Sequence, residues 1–220
     1  MRRLIAVWLG LACLLAAAAS AQQGTAGQSA YDVVEDTTRR VMAVVVQASE
    51  YAEEDPERYY RAVHEILDPV IDYRGFARSV MGPYASSARY RSLDAAGRGQ
   101  LRDQLDRFTE VMRLGLVRTY SKGLLAFGGS RIVLAQPADD ASDKSRVSVR
   151  QLIYSEQAEP YVVLYQMGRD KSGGWQLRNV IIESVNLGEI YRSQFEAAAR
   201  KYDGDLDAVI ANWTTEEVET

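Results

Sequence analysis

Partway along this chain the spacing of apolar residues changes from that of helices to that of strands. Before Gly123 they recur every three or four positions, as along one side of a helix. After Gly128-Gly129 they alternate by two, or cluster in short Val/Ile/Tyr-rich runs bounded by turn residues. Helical spacing returns near Leu187. Helices, then strands, then helices again predict an α+β domain.

The helical part divides at its punctuation. Residues 31–52 carry Val34, Val41, Val45 and Ala48 on one face, with a gap near Thr38. Asp55-Pro56 starts a second helix, Asp55 as N-cap and Pro56 in the first position. That helix bears Tyr59, Tyr60, Val63, Ile66 and Leu67, and Pro69 disturbs it. Residues 70–81 read as a short helix closed by Gly82-Pro83. Ser92 or Asp94 then caps a long helix running to about Tyr120. Its stripe is Leu101, Leu105, Phe108, Met112, Leu116 and Tyr120, widened near the end by Val111, Leu114 and Val117.

Strands are expected over 131–135, 146–154, 161–168 and 175–183. The links between them are short, with turn chemistry at 137–140, 158–160 and 170–174, so the strands form an antiparallel meander of four, in a sheet of that size or slightly larger. Two of the strands have apolar residues on both faces. Val162 and Leu164 oppose Tyr161, Val163, Tyr165 and Met167, while Trp175, Leu177 and Ile181 oppose Val180 and Ile182. Ordinary core packing accounts for such surfaces, and so does a sheet that stands off from its helices to hold an apolar ligand. Two helices follow at 187–202 and 206–213, the second capped by Asp205.

The first 21 residues bear on location rather than fold. Arg2-Arg3, an uncharged apolar run over 4–19, and Ala19-Ser20-Ala21 form a secretory signal peptide, with cleavage expected before Gln22. A run of 16 residues is short for a membrane span, which takes roughly 20. Cys13 as a lipoprotein acylation site is disfavoured by Gly10 and by the apolar run continuing beyond it. Cleavage would leave 199 residues, no cysteine and a net charge of −6 in place of −4. Residues 22–29 read as a flexible leader, 30–213 as one domain and 214–220 as an acidic tail.

Catalytic chemistry finds few players. There is one His, His64, and no Gly-x-Ser-x-Gly, His-x-Glu or P-loop pattern. Without thiols or spare imidazoles, zinc and nucleophilic catalysis lose their usual groups, and no metal site or catalytic residue is expected. Asp68 and Asp72 at i, i+4 are read as helix capping around Pro69. An overall negative charge argues against nucleic acid as a partner. Charge is nevertheless uneven: nine Arg face four acids over 74–118, and six acids face no base from Asp203 onward. Arg74, Arg78, Arg89 and Arg91 are the candidate phosphate contacts, since guanidinium suits that anion. A solvated helix face explains the same arginines.

One stretch resembles a known family. Trp175-Gln176-Leu177-Arg178-Asn179-Val180-Ile181-Ile182-Glu183-Ser184-Val185-Asn186-Leu187, followed by Tyr191-Arg192-Ser193-Gln194-Phe195, is similar to the signature of the MlaC family of periplasmic phospholipid-binding, or toluene-tolerance, proteins. Asp72-Tyr73, Phe76-Ala77 and Met81-Gly82-Pro83-Tyr84 resemble its helical segment, and Phe108 and Tyr120 fall where its long helix carries aromatics. The family form has Gly and Ser where this chain has Ser184 and Asn186, Asp in place of Asn179, and often Trp after the Tyr at position 84.

The resemblance implies a curved antiparallel sheet with surrounding helices, similar to nuclear-transport-factor-2-like domains, enclosing a cavity for acyl chains. It implies a monomeric, non-enzymatic carrier in the periplasm with no cofactor, its cargo a phospholipid. The implied partners are an outer-membrane lipoprotein complex and an inner-membrane ABC transporter with a lipid-binding ring, serving outer-membrane lipid asymmetry. Exposing roughly 30 methylenes to water costs about 25 kcal/mol, so such a carrier must enclose the tails. The expected lining is Phe76, Met81, Phe108, Met112, Leu116, Val147, Val149, Val163, Tyr165, Val180, Ile182 and Tyr191, with the four arginines near the headgroup. Two other readings stand beside it: a cavity enzyme using Asp72, His64 or Tyr120, and an envelope docking module with a filled core.

Overall fold

The computed structural model describes residues 27–125, 128, 130–135, 144–154 and 159–215. The signal peptide with its cleavage site, most of the leader, the turn at 137–140, Ala158 and the acidic tail beyond Thr215 lie outside the described residues. Five helices come first: α1 (Ala30–Ala48), α2 (Pro56–Leu67), α3 (Tyr73–Met81), α4 (Ser87–Ser92) and α5 (Ala95–Leu125), with a 3-10 turn at Gly82–Ala85. Then come β1 (Arg131–Leu134), β2 (Arg146–Tyr154), β3 (Tyr161–Arg169), β4 (Trp175–Ile182) and β5 (Val185–Asn186), followed by α6 (Leu187–Lys201) and α7 (Leu206–Ala211).

Local chemistry sets the helix starts. Asp55 accepts the Arg58 N–H, Asp94 accepts the Gly97 N–H at 2.8 Å, and Asp205 accepts those of Asp207 and Ala208. Asp94, rather than Ser92, is therefore the cap of the long helix. The third helix begins at Tyr73, not Val70, because residues 70–72 are claimed by the sheet. Leu177 N–H donates to the Val70 carbonyl at 2.8 Å, and Asp72 N–H donates to the Leu177 carbonyl at 3.0 Å. Ile71 thereby bridges to Leu177 in parallel. Asp72 then caps α3 through the Gly75 N–H.

The sheet is a meander in the order β1-β2-β3-β4-β5, every neighbouring pair antiparallel. Among the described residues it has five strands, in keeping with the expected four or slightly more, the fifth arising because the chain turns back after Ile182. That turn holds Glu183 at φ 48° and Ser184 at φ 69°, left-handed values that suit the two central residues of a tight hairpin. Ser184 thus adopts, with a side chain, the backbone for which the family form has Gly.

Between β3 and β4 the register slips. Gln166 faces Asn179 but Met167 faces Leu177, leaving Arg178 as the extra residue of a bulge. The simple alternation expected for β4 therefore fails there. Trp175 and Leu177 fall on the same face as Val180 and Ile182, not on the opposite one. Arg178, turned aside by the bulge, forms an ion pair with Asp72.

Among the described residues, buried apolar side chains form three clusters. The largest joins α3, α5, α6 and α7 around Phe108, which meets Phe195 at 5.0 Å and Trp213 at 5.2 Å between ring centres. A second joins α1, α2 and the end of α5 through Val45, Tyr59 and Val63. The Tyr59 hydroxyl donates to the Ser121 carbonyl, and burial pushes its pKa up to about 12. The third lies between the start of α1 and the sheet, through Val33, Val34, Val149, Met167 and Trp175.

Candidate functional site

Between these clusters α1 and the sheet do not close completely. A cavity of about 150 Å³ remains, walled by Val34, Val41 and Met42 of α1 and by Leu67, Val70 and Ile71 around the end of α2. Ile132, Ile153, Tyr165, Met167 and Leu177 form its sheet side, and Leu124 of α5 also contributes. Thr37, Thr38, Gln151 and Tyr165 bring the polar atoms. Among the described residues no charged one lines it.

Three of these four polar residues bond to one another. Gln151, 2% exposed, donates from Nε2 to Thr38 Oγ1 at 2.9 Å and accepts from the Tyr165 hydroxyl at 2.7 Å. Tyr165 lines the cavity, and burial raises the pKa of its hydroxyl above the usual tyrosine value. It stays a donor at neutral pH. The resulting Thr38–Gln151–Tyr165 chain ties α1 to β2 and β3 across the gap. A second tie, from the Tyr31 hydroxyl to the Leu134 carbonyl, spans 3.4 Å.

The expected lining residues are placed in two groups. Tyr165 lines this cavity, and Val147 and Val149 belong to the neighbouring cluster under α1. Val163 is buried on the same sheet face, opposite Ile182. Phe76, Met81, Phe108, Met112 and Tyr191 are buried in the helical cluster, with Leu116, Val180 and Ile182 packed at its margin. Burial raises the pKa of the Tyr191 hydroxyl, which lies 3.1 Å from that of Tyr120.

The residues of α1 that wall the cavity were not among those expected. Two signals pointed to them: the polar interruption at Thr37-Thr38 in an otherwise apolar stripe, and a Gln within the apolar alternation of β2. Facing polar interruptions on a helix and a strand mark a place where the two surfaces do not simply interdigitate.

The three candidate acid/base groups serve other contacts, and none lines the cavity. Asp72 caps α3 and pairs with Arg178. His64 Nε2 accepts from Arg113 Nε at 2.8 Å, and the same guanidinium pairs with Asp68. Tyr120 meets Tyr191. Among the described residues no group of His, Cys, Asp and Glu is arranged to hold a metal ion. None of the described helices is long and apolar enough to cross a membrane.

A second concavity of about 640 Å³ begins at Asp72, next along the chain from Ile71. Arg74, Arg78 and Arg91 of the four candidate arginines meet there, joined by Arg102 and Lys171. Arg89 does not line it.

Comparison with known proteins agrees with this architecture. The family model described as MlaC protein matches residues 35–215. A relative from Pseudomonas putida, the toluene tolerance protein ttg2D, is 31% identical over 191 residues, covering 87% of this chain and 82% of its own. Among solved structures, a phospholipid-binding protein from Ralstonia solanacearum in complex with a phospholipid superposes with a TM-score of 0.68. It is 18% identical, covering 83% of this chain and 93% of the other. At that identity the likeness concerns the fold.

Proposed function

Because the chain belongs to the MlaC family, we propose that it is a periplasmic phospholipid carrier that holds acyl chains between α1 and the sheet. The observation that carries this reading is the uncharged cavity, apolar except for four residues, two of which close on a third. Such a surface suits hydrocarbon, and among its described residues no carboxylate or imidazole stands ready to activate a hydroxyl as a nucleophile. The structural neighbour that shares the fold was solved with a phospholipid bound.

At about 150 Å³ the cavity is below the roughly 300–1,000 Å³ of ordinary ligand sites and below the needs of two acyl chains. This conformation is the closed one. Loading separates α1 from the sheet, breaking the Thr38–Gln151 bond and merging the gap with the apolar surface of Val147, Val149 and Val163. Enclosing the tails supplies the driving force, about 0.8 kcal/mol per methylene removed from water. The carrier then exchanges its cargo with an outer-membrane lipoprotein complex and an inner-membrane ABC transporter, as its family membership suggests. An acidic chain suits this traffic, because a polybasic one would gain about 1 kcal/mol per basic residue at an anionic membrane and stay there.

Native mass spectrometry of protein purified from cells, followed by lipid extraction, tests the reading. Near-stoichiometric phospholipid is the expected result. Lipid-free protein that also fails to take lipid from vesicles would sink it, leaving the docking module as the better description.

A further inference from the structure

We propose that the cleft between α3, α4 and the start of α5 is a binding site for a phosphate ester. Its walls bring five cations, Arg74, Arg78, Arg91, Arg102 and Lys171, around a floor that includes Leu101 and Leu105. Asp72 is the one acid among its described lining residues, and its carboxylate is taken up by Arg178. This is an unusual concentration in a chain whose net charge is −4.

The cations differ in what already occupies them. Arg74 is neutralised by an ion pair with Asp106. Among the described residues Arg78 donates only to uncharged groups, the Ala85 carbonyl at 3.2 Å and the Ser87 hydroxyl at 2.8 Å. Arg102 donates to the Tyr90 hydroxyl at 3.3 Å. Those bonds fix the two guanidinium groups without cancelling their charge. Arg91 and Lys171 are exposed and have neither an ion pair nor a side-chain hydrogen bond among the described residues. Four positive charges therefore converge uncompensated on one concavity, two of them oriented in advance.

The chemistry of the walls selects the ligand. Guanidinium forks match the oxygens of a phosphate in paired, charge-assisted hydrogen bonds, and Lys supplies a mobile point charge. A volume of about 640 Å³ exceeds what a bare phosphate fills, and the leucine floor suits the carbon part of an ester. Two sources share this chemistry: the headgroup of a carried lipid and a soluble phosphate ester. The first source rests on the carrier function proposed above, since the cleft starts at Asp72 where the cavity wall ends at Ile71. The site itself does not.

Calorimetric titration of sn-glycerol 3-phosphate into protein stripped of lipid tests the site. Saturable binding is expected, weakened at least about tenfold by Arg91→Glu with Lys171→Glu, two exposed positions whose change leaves the melting temperature in place. Repeating the titration on protein loaded with phosphatidylglycerol separates the sources. Loss of binding there assigns the cleft to the lipid headgroup, and undiminished binding assigns it to soluble esters. Absence of saturable binding to the stripped protein, or binding untouched by the double substitution, overturns the proposal. Because the stripped protein needs no cargo, a failure of lipid carriage leaves this result readable.

Discussion

The helical cluster around Phe108 and the gap beneath α1 are both lined largely by apolar side chains, yet they are finished differently. In the cluster, aromatic rings from α5, α6 and the segment after α7 meet edge to face, and Met81, Met112 and Tyr191 are fully buried with them. Beneath α1 the same kinds of residue leave about 150 Å³ open, and a buried hydrogen-bond chain spans the opening. The difference teaches that apolar content does not distinguish a core from a binding site. Completeness of packing does, together with what holds the walls where packing is incomplete.

The largest expected effect lies in the finished region. Phe108→Ala removes a fully buried ring from its aromatic partners Phe195 and Trp213 and should cost about 3–5 kcal/mol in urea unfolding. Lipid content per folded molecule should stay the same. If loading falls in parallel with stability at Phe108, the two regions are not separate in function.

In the unfinished region the sign of the expectation changes. Ile153→Trp fills the gap from the sheet side and should abolish most phospholipid loading while costing no more than about 1–3 kcal/mol. Gln151→Leu leaves the Tyr165 hydroxyl and Thr38 without their bond, which should cost the lipid-free protein about 1–3 kcal/mol. Since loading is proposed to break the tie to α1, the loaded protein should lose less, so bound lipid should be retained longer. Paired melts with and without cargo measure that difference, and equal losses would show that α1 stays tied when loaded.

Smaller effects sharpen the margins. Hydrogen bonds from Arg107, then Gln104, hold the Asp207 carboxyl below the usual carboxylate range and fasten α7 to α5. Its contribution is present above the unfolded value near 3.9 and is lost as pH falls through the lowered folded value. Asp207→Asn should therefore flatten the acid limb of the stability profile around the helical cluster and leave lipid retention there unchanged. The smallest expected change is Ser184→Gly, which relieves a side chain at φ 69° and should stabilise by about 0.5–1 kcal/mol in thermal unfolding.

Most of the architecture was legible because local signals agreed with the tertiary answer. Asp55, Asp94 and Asp205 announce helix starts that the structure keeps, and β2 matches its expected span of 146–154. Where distant partners decide, reading by spacing runs out. Residues 70–72 carry an acceptable helical pattern, but hydrogen bonds to Leu177 pull them onto the sheet. Alternation in β4 reads correctly at Val180 and Ile182 and inverts at Trp175 and Leu177, because one extra residue at Arg178 flips the face. The cavity is harder still. Val34 and Val41 look like any buried stripe, and spacing does not encode whether a stripe meets a fitted surface or a gap. Only the polar breaks at Thr37-Thr38 and Gln151 hint at it.

The central claim, that tails lie beneath α1 and not within the helical cluster, can be tested by photocrosslinking. Protein loaded with a phospholipid bearing a diazirine near the end of one acyl chain would be irradiated, digested and mapped by mass spectrometry. Adducts should fall on α1 around Val34, Val41 and Met42 and on the facing strands around Ile153 and Met167. Adducts confined to Phe108, Met112 and Tyr191 would contradict the account.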